Sequence, residues 1–457
     1  METERAIVQH VCATRFGDIP ADAIDIVKDQ LLSSVGATIA GADAEGVETL
    51  RDAARGLGGA KEASILFHGE RVPAQQAAFV NAVMSRALDF CDAIVPGAHP
   101  GSSIIPAALA AAELAGAVSG GVSGADFLAA GCVGDDLAVR RNLGEAEYDG
   151  FDPTGICVPF GATAAAARIL GLTEEQTWNA LALAFCRCGG SFQANVDGAL
   201  AVRVIQGWVA ETAVTCARLA AGGITGPRDF LDGIYGYFHL FGRDRVSGPD
   251  VLTGLGADYQ VRKLVFKKYP SCGATQAASE MILQLMKDEG FGAAEVESVT
   301  MTVPPYIYKL VGHPFQVGAN PKVNAQFSIR YCVANALLRG GSTLAHFEAA
   351  AVRDPAVLAL AGTIEAVADP ALDARGHTAI DMLVTMKTGG RYFRQTDVAP
   401  GFPEKPLTKQ EHLQRFWDCV AFASAPPAAE RLDEIVAAVT AVEQMEDVRE
   451  LVRLLTP

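Results

Sequence analysis

Residues 103–121 read SIIPAALAAAELAGAVSGG, the most apolar stretch of the chain. Glu113 sits in its middle, so the run reads as a helix buried in protein rather than as a membrane span. Its apolar face is built from alanine and glycine, and the stretch 161–172, GATAAAARILGL, repeats that character. Small side chains let helix axes approach closely, which predicts a compact, deeply packed helical bundle. Working outward, apolar residues at Ile24, Ile26, Val27, Leu31, Leu32 and Val35 recur with a helical period over 21–39. Further helices are expected at 74–88, 104–115, 127–137, 161–172, 174–185 and 207–220.

The pattern changes near residue 260. Residues 296–303, VESVTMTV, alternate with period two and stop at Pro304-Pro305, which reads as a strand. Residues 382–387 and 391–398, joined by Thr388-Gly389-Gly390, read as a β-hairpin. Helices are expected between them at 274–287 and 326–338, and after Pro406 the chain turns helical again over 409–423 and 428–455. A length of 457 residues exceeds the roughly 250–300 at which single cores stop growing. The expected fold class is therefore mainly α: a helical domain from residues 1–265 and 405–457, with an α+β lid inserted at 266–404.

Acids outnumber lysine plus arginine by 53 to 37, a net charge of -16. A surface that negative repels nucleic acid and anionic membranes. The ten cysteines include no C-x-x-C pair, so neither a disulfide framework nor a zinc or iron–sulfur site is expected, and a reducing, cytoplasmic setting is. The N-terminus, METERAIVQHVCATRF, has no apolar signal core. The glycine excess, 46 residues, fits close helix packing and turns. There is no G-x-G-x-x-G after a strand and no Walker-type loop, and no histidine spacing suited to a metal. No metal and no cofactor is expected.

Three stretches place polar residues among glycines and prolines beside apolar helices. Residues 87–106, ALDFCDAIVPGAHPGSSIIP, contain Asp89, Asp92 and His99. Residues 261–276, VRKLVFKKYPSCGATQ, contain Arg262, Lys263, Lys267 and Lys268, an island of cations in an acidic chain. These are either solvated charges on an exposed edge strand or an anchor for a carboxylate, and in the second case they would depress the pKa of Cys272. Residues 148–161, YDGFDPTGICVPFG, read as a turn or N-cap at Asp152 before a buried helix.

The order ALDFCD…HPGSSIIPAALAAAE, GFDPTG…PFGATAAAA, KKYPSCGATQ, NAQFSIRYCVANALL and PGFPEKPLTKQEHLQRFWDC resembles the MmgE/PrpD family from about Leu31 to Cys419. That family includes 2-methylcitrate dehydratases, cis-aconitate decarboxylases and iminodisuccinate epimerases. The resemblance implies a cofactor-independent enzyme acting on a small carboxylate-bearing substrate, a helical domain with an α+β lid, and a homodimer. It also implies site positions. Asp89 and Asp92 match the aspartates of the family's LDF-D-D stretch, His99 its H-P-S histidine, Lys267 the lysine of K-x-Y-P, and Cys272 the P-S-C cysteine. Tyr308 matches a tyrosine near the lid's first strand.

Departures from the family pattern point to a different substrate. Asp152 replaces a histidine, Val202 a lysine, Ile205 a histidine, Ala93 a threonine, and Gln276 a further histidine, while Arg203 remains. The expected substrate is therefore neither 2-methylcitrate nor cis-aconitate. Dehydration, decarboxylation and epimerisation share one demand, proton transfer beside a carboxylate with stabilisation of carbanion-like charge. Accordingly Asp89, His99, Lys267, Cys272 and Tyr308 are the expected catalytic residues. Asp92, Asp152, Arg203, Lys268 and Gln276 are the expected substrate-binding residues. Loss of the family lysine and histidine leaves open a non-catalytic, metabolite-binding or structural dimeric relative.

Overall fold

The computed structural model describes residues 2–457, apart from the side chains of 117–119 and 145–146. The elements that frame the site are helices α1 (Ala21–Gly41), α2 (Ala74–Arg86), α3 (Gly101–Ser119), α4 (Gly124–Arg141), α5 (Pro153–Ile169), α6 (Glu174–Phe185) and α7 (Ala201–Ala221). They are followed by α8 (Gln276–Glu289), α9 (Ile329–Arg339), α10 (Lys409–Phe422) and α11 (Ala429–Thr440). The apolar stretch that opens the reading is α3, and Glu113 inside it is buried but matched. Its carboxylate accepts from the backbone and hydroxyl of Ser64 and pairs with Arg71. Among the described residues, no helix is long and apolar enough to cross a membrane.

The small-residue stripes do what their chemistry suggests. A Cβ added at Gly161 on α5 would lie 2.3 Å from the carbonyl of Gly134 on α4, and one at Gly134 would lie 2.8 Å from the carbonyl of Gly161. These two helices touch backbone to backbone, which a larger side chain would forbid. The strands β1 (Asp92–Ala93), β2 (Val265–Phe266), β3 (Val296–Val303), β4 (Ile364–Ala368), β5 (Ile380–Met386) and β6 (Arg391–Thr396) complete the frame. The order in the four-stranded sheet is β4-β3-β5-β6, with β4 parallel to β3 and the rest antiparallel. Val299, Met301 and Val303 face inward from β3 and Ile380, Met382 and Val384 from β5, packing with Met281, Ile282 and Leu285 of α8.

Two large apolar clusters result. One joins the N-terminal helices to Phe416 and Leu432 of the C-terminal helices, so the tail returns to the bundle. The other is built almost wholly from residues 265–402. The single helix expected over 428–455 is broken. After α11 come a short turn at Val442–Gln444 and a separate helix at Arg449–Leu454. Tertiary contact overrides propensity here, because Gly124 lies against the Val442 carbonyl and donates to Met445, and Val448 donates to Val122.

Candidate active site

The helical and α+β parts meet at a two-rung ladder. Asp92 pairs with Phe266 and Ala93 with Val265, joining the two polar stretches singled out in the sequence. The stretch around 262–268 is thus not an exposed edge. Side chains alternate along β2 and its continuation, so Lys267 turns inward and is 1% exposed, whereas Lys268 turns away to pair with Glu280 and Glu411. Arg262 pairs with Asp22 at the surface. The four cations do not act as one anchor; only Lys267 reaches the site.

Lys267 Nζ donates to Asp89 Oδ1 at 2.7 Å and to the Asp89 carbonyl at 3.1 Å. Arg86, at the end of α2, donates to the same Oδ1 at 2.5 Å. Asp89 Oδ2 is buried and has no hydrogen-bond partner. Burial opposes ionisation of this carboxyl, but Arg86 and then Lys267 overcome it and hold Asp89 well below the usual carboxylate range. Asp89 has φ +53°, an uncommon backbone for a non-glycine residue, and its neighbours explain how it is held. Gln326 donates to the Leu88 carbonyl, and Arg415 of α10 donates to the Phe90 carbonyl while stacking on the Phe90 ring. The loop is clamped from three directions.

His99 receives two contacts that define its state. Its Nδ1 lies 2.8 Å from the Asp92 carbonyl, which can only accept, so Nδ1 carries the proton. Its Nε2 lies 3.4 Å from Arg86 Nη2 and therefore presents a lone pair. Burial first, then Arg86 and Lys267, lower the His99 pKa well below its ordinary value, so the ring is neutral at pH 7. Cys272 faces the same cleft from the α+β side. The expected depression of its pKa is not found. Burial, reinforced by Asp89, outweighs Lys267 and pushes the thiol up to about 11.

These groups line an open cleft, together with Asp152, Tyr306 and His377. Asp152 is the N-cap of α5, accepting from Thr154 N at 2.8 Å, and also faces the cleft, with its pKa raised by burial. Phe192, Leu310, Phe327 and Phe402 supply an apolar wall.

Five expected positions lie outside this lining. Asp92 is turned inward, accepting from Gln30 and from Gly101 N, and supports His99 through its backbone. Gln276 closes the 269–276 turn by pairing with both backbone groups of Tyr269. Lys268 is held by its two glutamates. Tyr308 packs on His313, and Tyr306, two residues earlier, takes the place facing the cleft while its hydroxyl donates to the Pro96 carbonyl. Arg203 is buried behind the cleft with Nη1 unpartnered, and burial lowers its pKa to about 10. Two contributors escaped the sequence reading, Arg86 and Arg415. The available signal for Arg86 was the one charged residue of its helix, three residues before Asp89. Among the described residues, no group of three or more histidines, cysteines or acids is arranged to hold a metal.

Comparison with known proteins bears on what this cleft is for. The MmgE/PrpD N-terminal domain model matches residues 5–248 and the MmgE/PrpD C-terminal domain model matches residues 269–441. The chain belongs to the MmgE/PrpD family. It is 26% identical over 460 residues to the cis-aconitate decarboxylase-like protein oryM of Aspergillus oryzae, covering 96% of this chain and 94% of that protein. It is 27% identical over 399 residues to the cis-aconitate decarboxylase of Homo sapiens, covering 84% and 80% respectively, and 26% identical to that of Mus musculus. Membership of MmgE/PrpD and these relatives support a lyase-type function.

Proposed function

We propose that this MmgE/PrpD protein is a cofactor-independent enzyme that moves a proton at the carbon beside a carboxylate of a small metabolite. Elimination, decarboxylation and epimerisation are all outcomes of that step. The observation that carries the reading is the juxtaposition in one cleft of Arg86 and Lys267, bridged by Asp89, with a neutral imidazole at His99. In this reading the substrate carboxylate takes the side of Arg86 and Lys267 not occupied by Asp89. Negative charge developing at the adjacent carbon is then stabilised by cations already desolvated and fixed.

His99 Nε2 is the proposed base. Its low basicity in the free protein comes from burial and the two cations, so an incoming carboxylate offsets the cations and raises its basicity when the base is needed. Asp89, strongly held as a carboxylate, positions both cations and is a poor base. Cys272, kept as a thiol, is the proposed acid from the opposite side, where it can return a proton to the carbon. The departures at Asp152, Val202 and Ile205 support a substrate other than cis-aconitate or 2-methylcitrate, despite the names of the relatives.

Incubation with candidate acids in D₂O, followed by proton NMR, tests this directly. Deuterium should enter at the carbon beside the carboxylate, and His99→Ala should slow uptake by roughly two orders of magnitude with the fold intact. Unchanged uptake in His99→Ala would remove that residue from the mechanism. Absence of exchange with every acid tried would favour a relative that only binds its metabolite.

A further inference from the structure

The charges facing the cleft limit how many carboxylates a substrate can bring. Arg86 and Lys267 are the two fixed cations of the lining, and Asp89 already takes a bond from each. One positive charge therefore remains to be met. A second acid, Asp152, faces the same cleft. Ionised, it repels an incoming carboxylate; neutral, it adds no compensating charge. The remaining titratable groups of the lining do not change this balance. His99 and His377 have pKa values lowered by burial and are neutral, and Cys272 remains a thiol. Arg203 is buried outside the lining, and the charges that act on it are Arg86, Glu45, Asp89 and Glu348.

The rest of the wall adds no positive charge. Phe192, Leu310, Phe327 and Phe402 are apolar, and Asn195, Gln206 and Thr378 are neutral. A second carboxylate would find neutral donors there but no counter-ion to offset its desolvation, which is unfavourable.

We infer that the substrate is a small acid with a single carboxylate and an apolar body, bearing a hydroxyl or amine that donates to Asp152. This rests on the proton-transfer reading above and narrows it, setting the chain apart from relatives named for a tricarboxylate.

The test compares mono-, di- and tricarboxylates of matched carbon skeleton, each with and without a hydroxyl or amino group, in the full-length protein. Deuterium uptake gives kcat/KM and thermal shift gives binding. The hydroxy or amino monocarboxylates should be processed at least a hundredfold more efficiently than the tricarboxylates. Asp152→Asn keeps the helix cap but removes the charge, and should raise KM for those substrates roughly tenfold. It should also narrow the gap to the dicarboxylates. Equal or faster turnover of di- or tricarboxylates overturns the inference while leaving the proton-transfer reading intact. Stabilisation by monocarboxylates without any exchange sinks the proton-transfer reading but upholds the selectivity. Neither exchange nor binding by any class sinks both.

Discussion

Replacing Lys267 with methionine probes the core of the site, because stability and activity should part company. The lysine is 1% exposed and makes two bonds to Asp89, so Lys267→Met leaves a buried carboxylate with Arg86 as its only cation. Removing one partner of a buried pair typically costs about 3–5 kcal/mol, and the surviving Arg86 contact puts the expected loss toward the lower end, about 3 kcal/mol. Turnover should fall by roughly two orders of magnitude or more, because the substrate carboxylate loses a fixed cation. In the triple variant Arg86→Met/Asp89→Asn/Lys267→Met all three buried charges are gone. Most of the stability should return, but none of the turnover. Urea melts give the stability and deuterium uptake the activity. A triple variant no more stable than Lys267→Met would refute the argument, since the cost would then come from lost packing and not from uncompensated buried charge. Near-normal turnover in either variant would exclude Lys267 as a carboxylate anchor.

Three further expectations concern other parts of the molecule. With His99 pushed well below 6.5 and Cys272 up to about 11, kcat/KM should be flat from pH 6.5 to 9; an ionisation near 6.5 in the profile contradicts the assignment. Asp135 is buried beside Asp92, sharing the Gln30 amide, and burial raises its pKa well above the usual value. A carboxyl that holds its proton more tightly folded than unfolded loses stability as pH rises from about 4 toward the folded pKa. Asp135→Asn should remove that loss and stabilise the protein by about 1 kcal/mol at pH 7, and denaturant melts at pH 5 and 8 that show no gain would refute it. Gly161→Ala should destabilise by roughly 1–3 kcal/mol, because the clash with the Gly134 carbonyl outweighs the ~1 kcal/mol helix preference of alanine; a rise in melting temperature would show the helices can separate freely.

Much of the architecture was legible because it rests on local patterns. The period-two run at 296–303 is a strand with those very ends, and the predicted helix at 174–185 matches α6 residue for residue. Helix α5 begins at Pro153, eight residues before the apolar pattern at 161, because Asp152 caps it. Strand β4 was not anticipated: IEAVA is short, and its place is set by parallel pairing with a strand far away in sequence. The site divides in the same way. Asp89, His99, Asp152, Lys267 and Cys272 stand in loops whose composition draws attention, and they do share one cleft. Spacing in sequence could not tell Lys267 from Lys268 without the strand direction, nor Tyr306 from Tyr308 without the helix turn. Arg86 and Arg415 lie in helices of ordinary composition, where only tertiary packing reveals that they converge on residues 86–99.

The two-rung ladder between β1 and β2 has a mechanical meaning. It is a seam along which the sheet-bearing half is stitched to the bundle, with Asp89 three residues before the Asp92–Phe266 rung on one strand and Lys267 immediately after it on the other. Tyr306 and His377, which lie ring against ring, reach the cleft from the sheet-bearing half, and the Tyr306 hydroxyl holds on to Pro96 of the bundle side. The cleft is therefore walled from both halves, and neither half alone completes it.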